Sequence, residues 1–188
     1  MGCQSCGIHF RMNSRITLIC LTATVAVTPG HATTYHTVES AQQACFPEGA
    51  KFTSADVKLT REQKQAIEKD ADVRVRYDTQ RVWKAMKSDR IVGWFLVDEV
   101  IGKHEWITYA LALNPNGSVK SIEVMDYREN YGGEIRQADW RVQFLGKKHG
   151  AKLKLEDEIK NISGATMSCR HITEGVKRLL SFYELVLK

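Results

Sequence analysis

Between Ile91 and Asp126 three strand-like stretches, the first two rich in β-branched and aromatic residues, follow one another across short turn signals, and few folds accept that pattern. Ile91 to Ile101 and Trp106 to Leu113 have the composition of strands. Asn114-Pro115-Asn116-Gly117 is a turn that leads into a third, Ser118 to Asp126. Strands joined by so few residues pair antiparallel, because a parallel pair needs a long crossover between its members. Upstream, Val73, Val75 and Tyr77 alternate with charged residues, which predicts a strand from Val73, and Gln80 to Met86 continues the pattern. Val38 to Phe46 reads as a short helix. Thr60-Arg61-Glu62-Gln63 is a capping box that starts a second helix running to about Asp70. Downstream, Gly132-Gly133 marks a loop, Asp139 is placed to cap a short helix through Phe144, and a lysine-rich loop follows. From Ile172 the apolar residues fall at 172, 176, 179, 180, 183, 186 and 187, one stripe of an amphipathic helix beginning near Ser168. The order predicts an α+β fold, an antiparallel β-sheet meander packed by helices and closed by a C-terminal amphipathic helix.

The first 32 residues have a different character. Arg11 and Arg15 precede a twelve-residue apolar run, Ile16 to Val27, and Gly30 and Ala32 supply small residues at −3 and −1 of a cut after Ala32. A membrane-spanning helix needs about 20 apolar residues, so the run reads as the core of an export signal, with the mature chain starting at Thr33 in the periplasm, soluble or peripherally membrane-associated. Met12 offers a second start for the same signal, and the bulky Ile19 argues against lipoprotein processing at Cys20. The division is then a signal at 1–32, an N-terminal extension of helices and strand at 33–88, and a main domain at 89–188. The chain has 27 basic and 22 acidic residues; loss of 1–32 leaves 25 against 22, a surplus of 3 that does not suggest nucleic-acid binding. Cys3, Cys6 and Cys20 lie in the discarded segment, which leaves Cys45 and Cys169 either as a disulfide or as two buried free thiols. His36, His104, His149 and His171 lack metal-ligand spacing, and no metal site is expected.

Ser163-Gly164-Ala165-Thr166, followed by Met167-Ser168 and the last helix, is where chemistry concentrates. The N–H groups and dipole of a helix N-terminus favour a phosphate, and the small Gly164 and Ala165 let a ligand approach the backbone. The plainer alternative is that Ser163, Thr166 or Ser168 caps the helix and nothing more. Nucleophile elbows, phosphate-binding G-x-x-x-x-G-K loops and dinucleotide-type G-x-G-x-x-G turns do not occur. Glu129 and Glu134 flank the glycine loop as a carboxylate pair or as two residues of a solvated turn.

The S-G-A-T stretch resembles the attachment signature of the FMN-binding domain family, which includes flavin-carrying subunits of the sodium-translocating NADH:quinone reductase and of the Rnf complex. Three further segments resemble that family in order: Gly93-Trp94-Phe95, the turn Arg128-Glu129-Asn130-Tyr131-Gly132-Gly133, and Trp140 with Gln143-Phe144-Leu145-Gly146-Lys147. The resemblance covers roughly residues 90–187. Lys160 stands where the family usually has an acidic residue, and Asn130-Tyr131 where it has Thr-Pro. The resemblance implies FMN held through a phosphoester on Thr166, installed by a separate flavin transferase. It places Ser163, Gly164, Ala165, Met167, Ser168, Glu129, Tyr131, Gly132, Trp140 and Lys147 around the cofactor. Arg170 or Lys147-Lys148 would neutralise the phosphate, and Trp140 or Tyr131 would stack on the isoalloxazine unless each packs in the core or a loop. The implied function is an exported electron carrier or redox subunit, not a stand-alone enzyme, serving membrane-associated redox partners. Two other classes stay open, a flavin-dependent reductase of a small substrate and a non-redox binding module in which S-G-A-T is only a cap.

Overall fold

The computed structural model describes residues 1–2 and 33–188, so the export-signal expectation lies outside the described residues. The described chain begins with β1 (Thr33–Thr34), α1 (Val38–Cys45), β2 (Lys51–Ser54), β3 (Val57–Lys58) and α2 (Arg61–Ala71). Thr60 and Gln63 satisfy each other's backbone N–H groups at the start of α2, the reciprocal cap expected there. Next come β4 (Thr79–Lys87), β5 (Arg90–Ile101), β6 (Trp106–Leu113) and β7 (Val119–Tyr127). A 3-10 turn (Gly133–Arg136), α3 (Ala138–Arg141), a second 3-10 turn (Val142–Phe144), α4 (Thr166–Phe182) and a π-turn (Tyr183–Leu187) complete it. The sheet order is β1-β7-β6-β5-β4-β2, with β3 also on β4, and every pairing is antiparallel. The α+β meander read from the sequence is the fold. The 88/89 boundary falls in the β4–β5 hairpin, so the preceding residues continue the same sheet.

Both faces of the central strands are covered, which is why Trp94 to Val97 and Ala110 to Leu113 are buried without interruption. One face carries Val82, Leu96, Leu111 and Ile122 against α2 and α4, whose Ile67, Ile172, Val176, Leu179 and Leu180 fill the larger core. Each such side chain contributes about 1.5–3 kcal/mol on burial. The other face carries Ala85, Phe95, Val97, Ala110 and Ala112 beneath Ala41, Cys45 and Phe46 of the α1 segment. Cys45 and Cys169 therefore belong to cores on opposite faces of the sheet, and both are free, buried thiols. Burial, with the Glu123 charge nearby, pushes the Cys45 thiol up to about 12.

Three sequence expectations shift. Val73 to Tyr77 form no strand, because side chains take their backbone groups: Glu68 accepts from Val75 N–H at 2.8 Å, and Arg178 Nη1 donates to the Arg74 carbonyl at 3.0 Å. Asp139 lies inside α3, which follows Gln137 with no side-chain cap. The last helix starts at Thr166, two residues before Ser168. Among the described residues no helix is long and apolar enough to cross a membrane, and no cluster of His, Cys, Asp and Glu could hold a metal.

One polar contact sits inside the larger core. Arg178 of α4 forms an ion pair with Asp98 of β5, both buried, and Tyr109 Oη donates to the same carboxylate oxygen at 2.7 Å. Gly175 lies over this cluster, where any Cβ would collide with Tyr109 Oη. Removing one buried partner strands the other charge. Arg178→Met should therefore lower the unfolding free energy by about 3–5 kcal/mol in a urea titration. Asp98→Leu combined with Arg178→Met should recover more than half of that loss; a double variant as unstable as the single one would contradict the assignment.

Candidate functional site

The antiparallel register brings two loops and a helix start to one end of the sheet. Ile107 of β6 pairs with Tyr127 of β7, so the β5–β6 turn lies beside the segment that leaves β7. Between them and the start of α4 opens a cleft of about 310 Å³, within the range of small-molecule sites. It is lined by Lys103, His104, Glu129, Asn130, Tyr131 and the run Gly164 to Ser168. Glu129 ties the two loops together, its Oε1 accepting the backbone N–H groups of His104 at 2.6 Å and Glu105 at 3.0 Å. Burial alone would raise this carboxyl, but the N–H groups of His104, Glu105 and Lys103 outweigh it and hold it below its ordinary value. Glu129 lines this cleft, whereas Glu134 stands in the 3-10 turn and lines a neighbouring one.

Gly132 lets the loop lie on the helix. At φ 85° it occupies the left-handed region, and a Cβ there would strike the Ala165 methyl and come within 2.9 Å of Tyr127 Oη. Tyr127 Oη donates to the Tyr131 carbonyl and lies 3.4 Å from the buried Ser168 hydroxyl. Burial is the main reason the Tyr127 phenol sits above its ordinary value.

The α4 N-terminus is not capped by any side chain. Gly164 takes φ 82°, Ala165 holds the cap position, and the first backbone bond into the helix runs from Cys169 N–H to the Ala165 carbonyl at 2.9 Å. The N–H groups of Thr166, Met167 and Ser168 precede that bond and have no helical carbonyl to meet, at the positive end of the dipole. The reading in which Ser163, Thr166 or Ser168 serves as the cap does not hold. Thr166 Oγ1 instead accepts a hydrogen bond from Asn161 Nδ2 at 3.0 Å, and Ser163 is exposed outside the cleft lining.

Of the residues proposed from the sequence, Glu129, Tyr131, Gly164, Ala165, Thr166, Met167 and Ser168 line the cleft, and Gly132 supports it from behind. Tyr131 is 79% exposed and Met167 38%, so both present apolar surface at the mouth. Trp140 is placed elsewhere. It packs edge-on against Phe144 at 5.1 Å and donates from Nε1 to the Lys160 carbonyl, a core role instead of a stacking platform. Lys147 pairs with Glu158 at 2.7 Å, and Arg170 lines a different cleft with Lys152 and Lys154. The basic residues that line the cleft with Thr166 are Lys103 and His104, which sequence reasoning missed although the meander's own connectivity puts the 102–105 turn beside residue 128.

Residues 102–181 match the family model of the FMN-binding domain, a span that contains every residue lining the cleft. No curated protein sequence matches the chain. Among solved structures the fold is similar to that of NqrC from Shewanella oneidensis, with a TM-score of 0.51 and 16% identity over 78% of this chain and 88% of that one.

The Glu129 contacts give a pH-dependent test. The folded-state pKa is depressed, so the carboxylate's contribution is whole above its unfolded value of about 4.3 and fades as pH falls through the lower folded value. Glu129→Gln should cost about 1–2 kcal/mol at pH 7, read by chemical denaturation, and the gap to wild type should close toward pH 3. A gap that does not change with pH would contradict the account.

Proposed function

We propose that this chain, which carries an FMN-binding domain over residues 102–181, holds FMN covalently on Thr166 Oγ1 through a phosphoester and acts as an exported electron-transfer flavoprotein. The observation that carries this reading is the start of α4: a helix N-terminus without a side-chain cap, opening into a cleft, whose first residue is a threonine with its hydroxyl held by a neighbour and not used as a cap.

The residues present fit a flavin phosphate. The N–H groups of Thr166, Met167 and Ser168 would donate to the phosphate oxygens, and Lys103, which lines the same cleft, would offset their charge. Tyr131 and Met167 offer exposed apolar surface for one side of a flat ring. Glu129 keeps the Lys103-His104 turn in place over the same cleft. When bound, the flavin supplies one- and two-electron redox chemistry, and the chain supplies position and electrostatics. In the attachment step an Oγ1–P bond forms, and the phosphoanhydride bond of an activated flavin donor breaks with its electron pair leaving on the departing phosphate. The threonine proton passes to a base of the flavin transferase. Export through residues 1–32 places the protein in the periplasm, where a covalent tether prevents loss of a cofactor that diffuses away if free. Electrons then pass between membrane-associated redox partners.

The test is production of the chain with an active flavin transferase, followed by fluorescence of the denatured band on a gel. Wild type should fluoresce and Thr166→Ala should not, while losing only about 0.5–1.5 kcal/mol of stability, the worth of one hydrogen bond. Thr166→Ser keeps an acceptor oxygen and should label partially, and Ser163→Ala should label. Fluorescence that survives Thr166→Ala would remove Thr166 as the acceptor.

A further inference from the structure

We propose that Asn161 is the positioning residue of the attachment step, presenting Thr166 Oγ1 to the incoming phosphorus; the inference rests on the attachment reading above. Its orientation is fixed from two sides. Asn161 Nδ2 lies 3.0 Å from Thr166 Oγ1 and 3.4 Å from Glu156 Oε1. An ionised carboxylate oxygen only accepts, so the atom facing Glu156 is the amide nitrogen, and its other proton goes to Thr166. The threonine oxygen is therefore the acceptor in this pair, and its own O–H remains free to give up its proton. Asn161 Oδ1 is meanwhile buried with no partner, an unfavourable arrangement for a side chain whose only task is to stabilise the loop.

The backbone that carries Asn161 is clamped just before it. Gln143 Oε1 accepts the Lys160 N–H at 2.8 Å, and Trp140 Nε1 donates to the Lys160 carbonyl at 2.8 Å. Gln143 Nε2 bonds the Trp140 carbonyl at 2.9 Å, so the two clamp residues also hold each other. Trp140 is 5% exposed and anchored on Phe144, which passes the rigidity of the core to Lys160 and so to Asn161. This gives Trp140 and Gln143 a purpose without any contact to a flavin. An unheld threonine at the first position of a helix has several rotamers and a competing use in hydrogen bonds to its own backbone. Asn161 selects one rotamer and leaves the oxygen outside the helix ladder.

The experiment measures transfer kinetics with flavin adenine dinucleotide, a flavin transferase and folded acceptor protein. Asn161→Asp keeps the shape but has no N–H to donate, and Asn161→Ala removes the side chain. Both should lower kcat for transfer about five- to tenfold, the rate equivalent of one hydrogen bond, with KM for the acceptor within about twofold of wild type. Thermal unfolding midpoints should stay within a few degrees, since a merely structural role would lower the folded fraction and appear in KM. Either folded variant transferring at or above the wild-type rate, or a loss confined to KM, overturns the proposal while leaving Thr166 as acceptor. A wild-type chain that takes no flavin removes the attachment reading itself, and this inference with it.

Discussion

Only one rotation of α4 about its axis satisfies the core, because Arg178 has to meet Asp98 beneath Tyr109 while Ile172, Val176 and Leu179 face the sheet. A charged guanidinium misplaced by one helical step would be buried without a partner, a penalty of several kcal/mol that apolar packing alone does not impose. Thr166 lies twelve residues, or about 18 Å, toward the N-terminus along the same rigid helix. The buried ion pair therefore sets the direction in which the first turn of α4 points. The cleft follows from that placement: Ala165 lies against Gly132, Ser168 against Tyr127, and the uncapped first turn of α4 lines the cleft.

The meander was legible because its strands are long, rich in β-branched and aromatic residues, and linked by turns too short for a crossover. The capping box of α2 was legible because it is local, as was the apolar stripe of α4. Val73 to Tyr77 misled because alternation reports an extended backbone and not its hydrogen-bond partners, which here are side chains of α2 and α4. Trp140 has the same composition signal whether it stacks on a ligand or fills a core, and only the tertiary position of Phe144 and Lys160 distinguishes the two. Asn161 carried no signal of its own. Its role depends on a bond to Thr166 and on a clamp assembled from Trp140 and Gln143, residues about twenty positions earlier.

The two departures from the family pattern also find physical places. Lys160 contributes its backbone N–H and carbonyl to the clamp while its side chain is exposed to solvent. Tyr131 uses its carbonyl to accept from Tyr127 and leaves its ring exposed at the cleft mouth, a place where proline would offer less surface. Lys103 lines the cleft, whereas Lys147 pairs with Glu158 and Arg170 lines a different one. An uncapped helix N-terminus with a lysine in the same cleft suits an anionic group such as the proposed phosphate.

The central claim is that wild-type protein carries a flavin bonded to its polypeptide. Its most direct measurement is the visible absorption spectrum of protein exported alongside an active flavin transferase, recorded after denaturation and gel filtration and paired with peptide mass mapping. The account predicts flavin absorption that stays with the chain, with one FMN mapping to the peptide that contains Thr166. Colourless protein, or flavin that separates on denaturation, would contradict it.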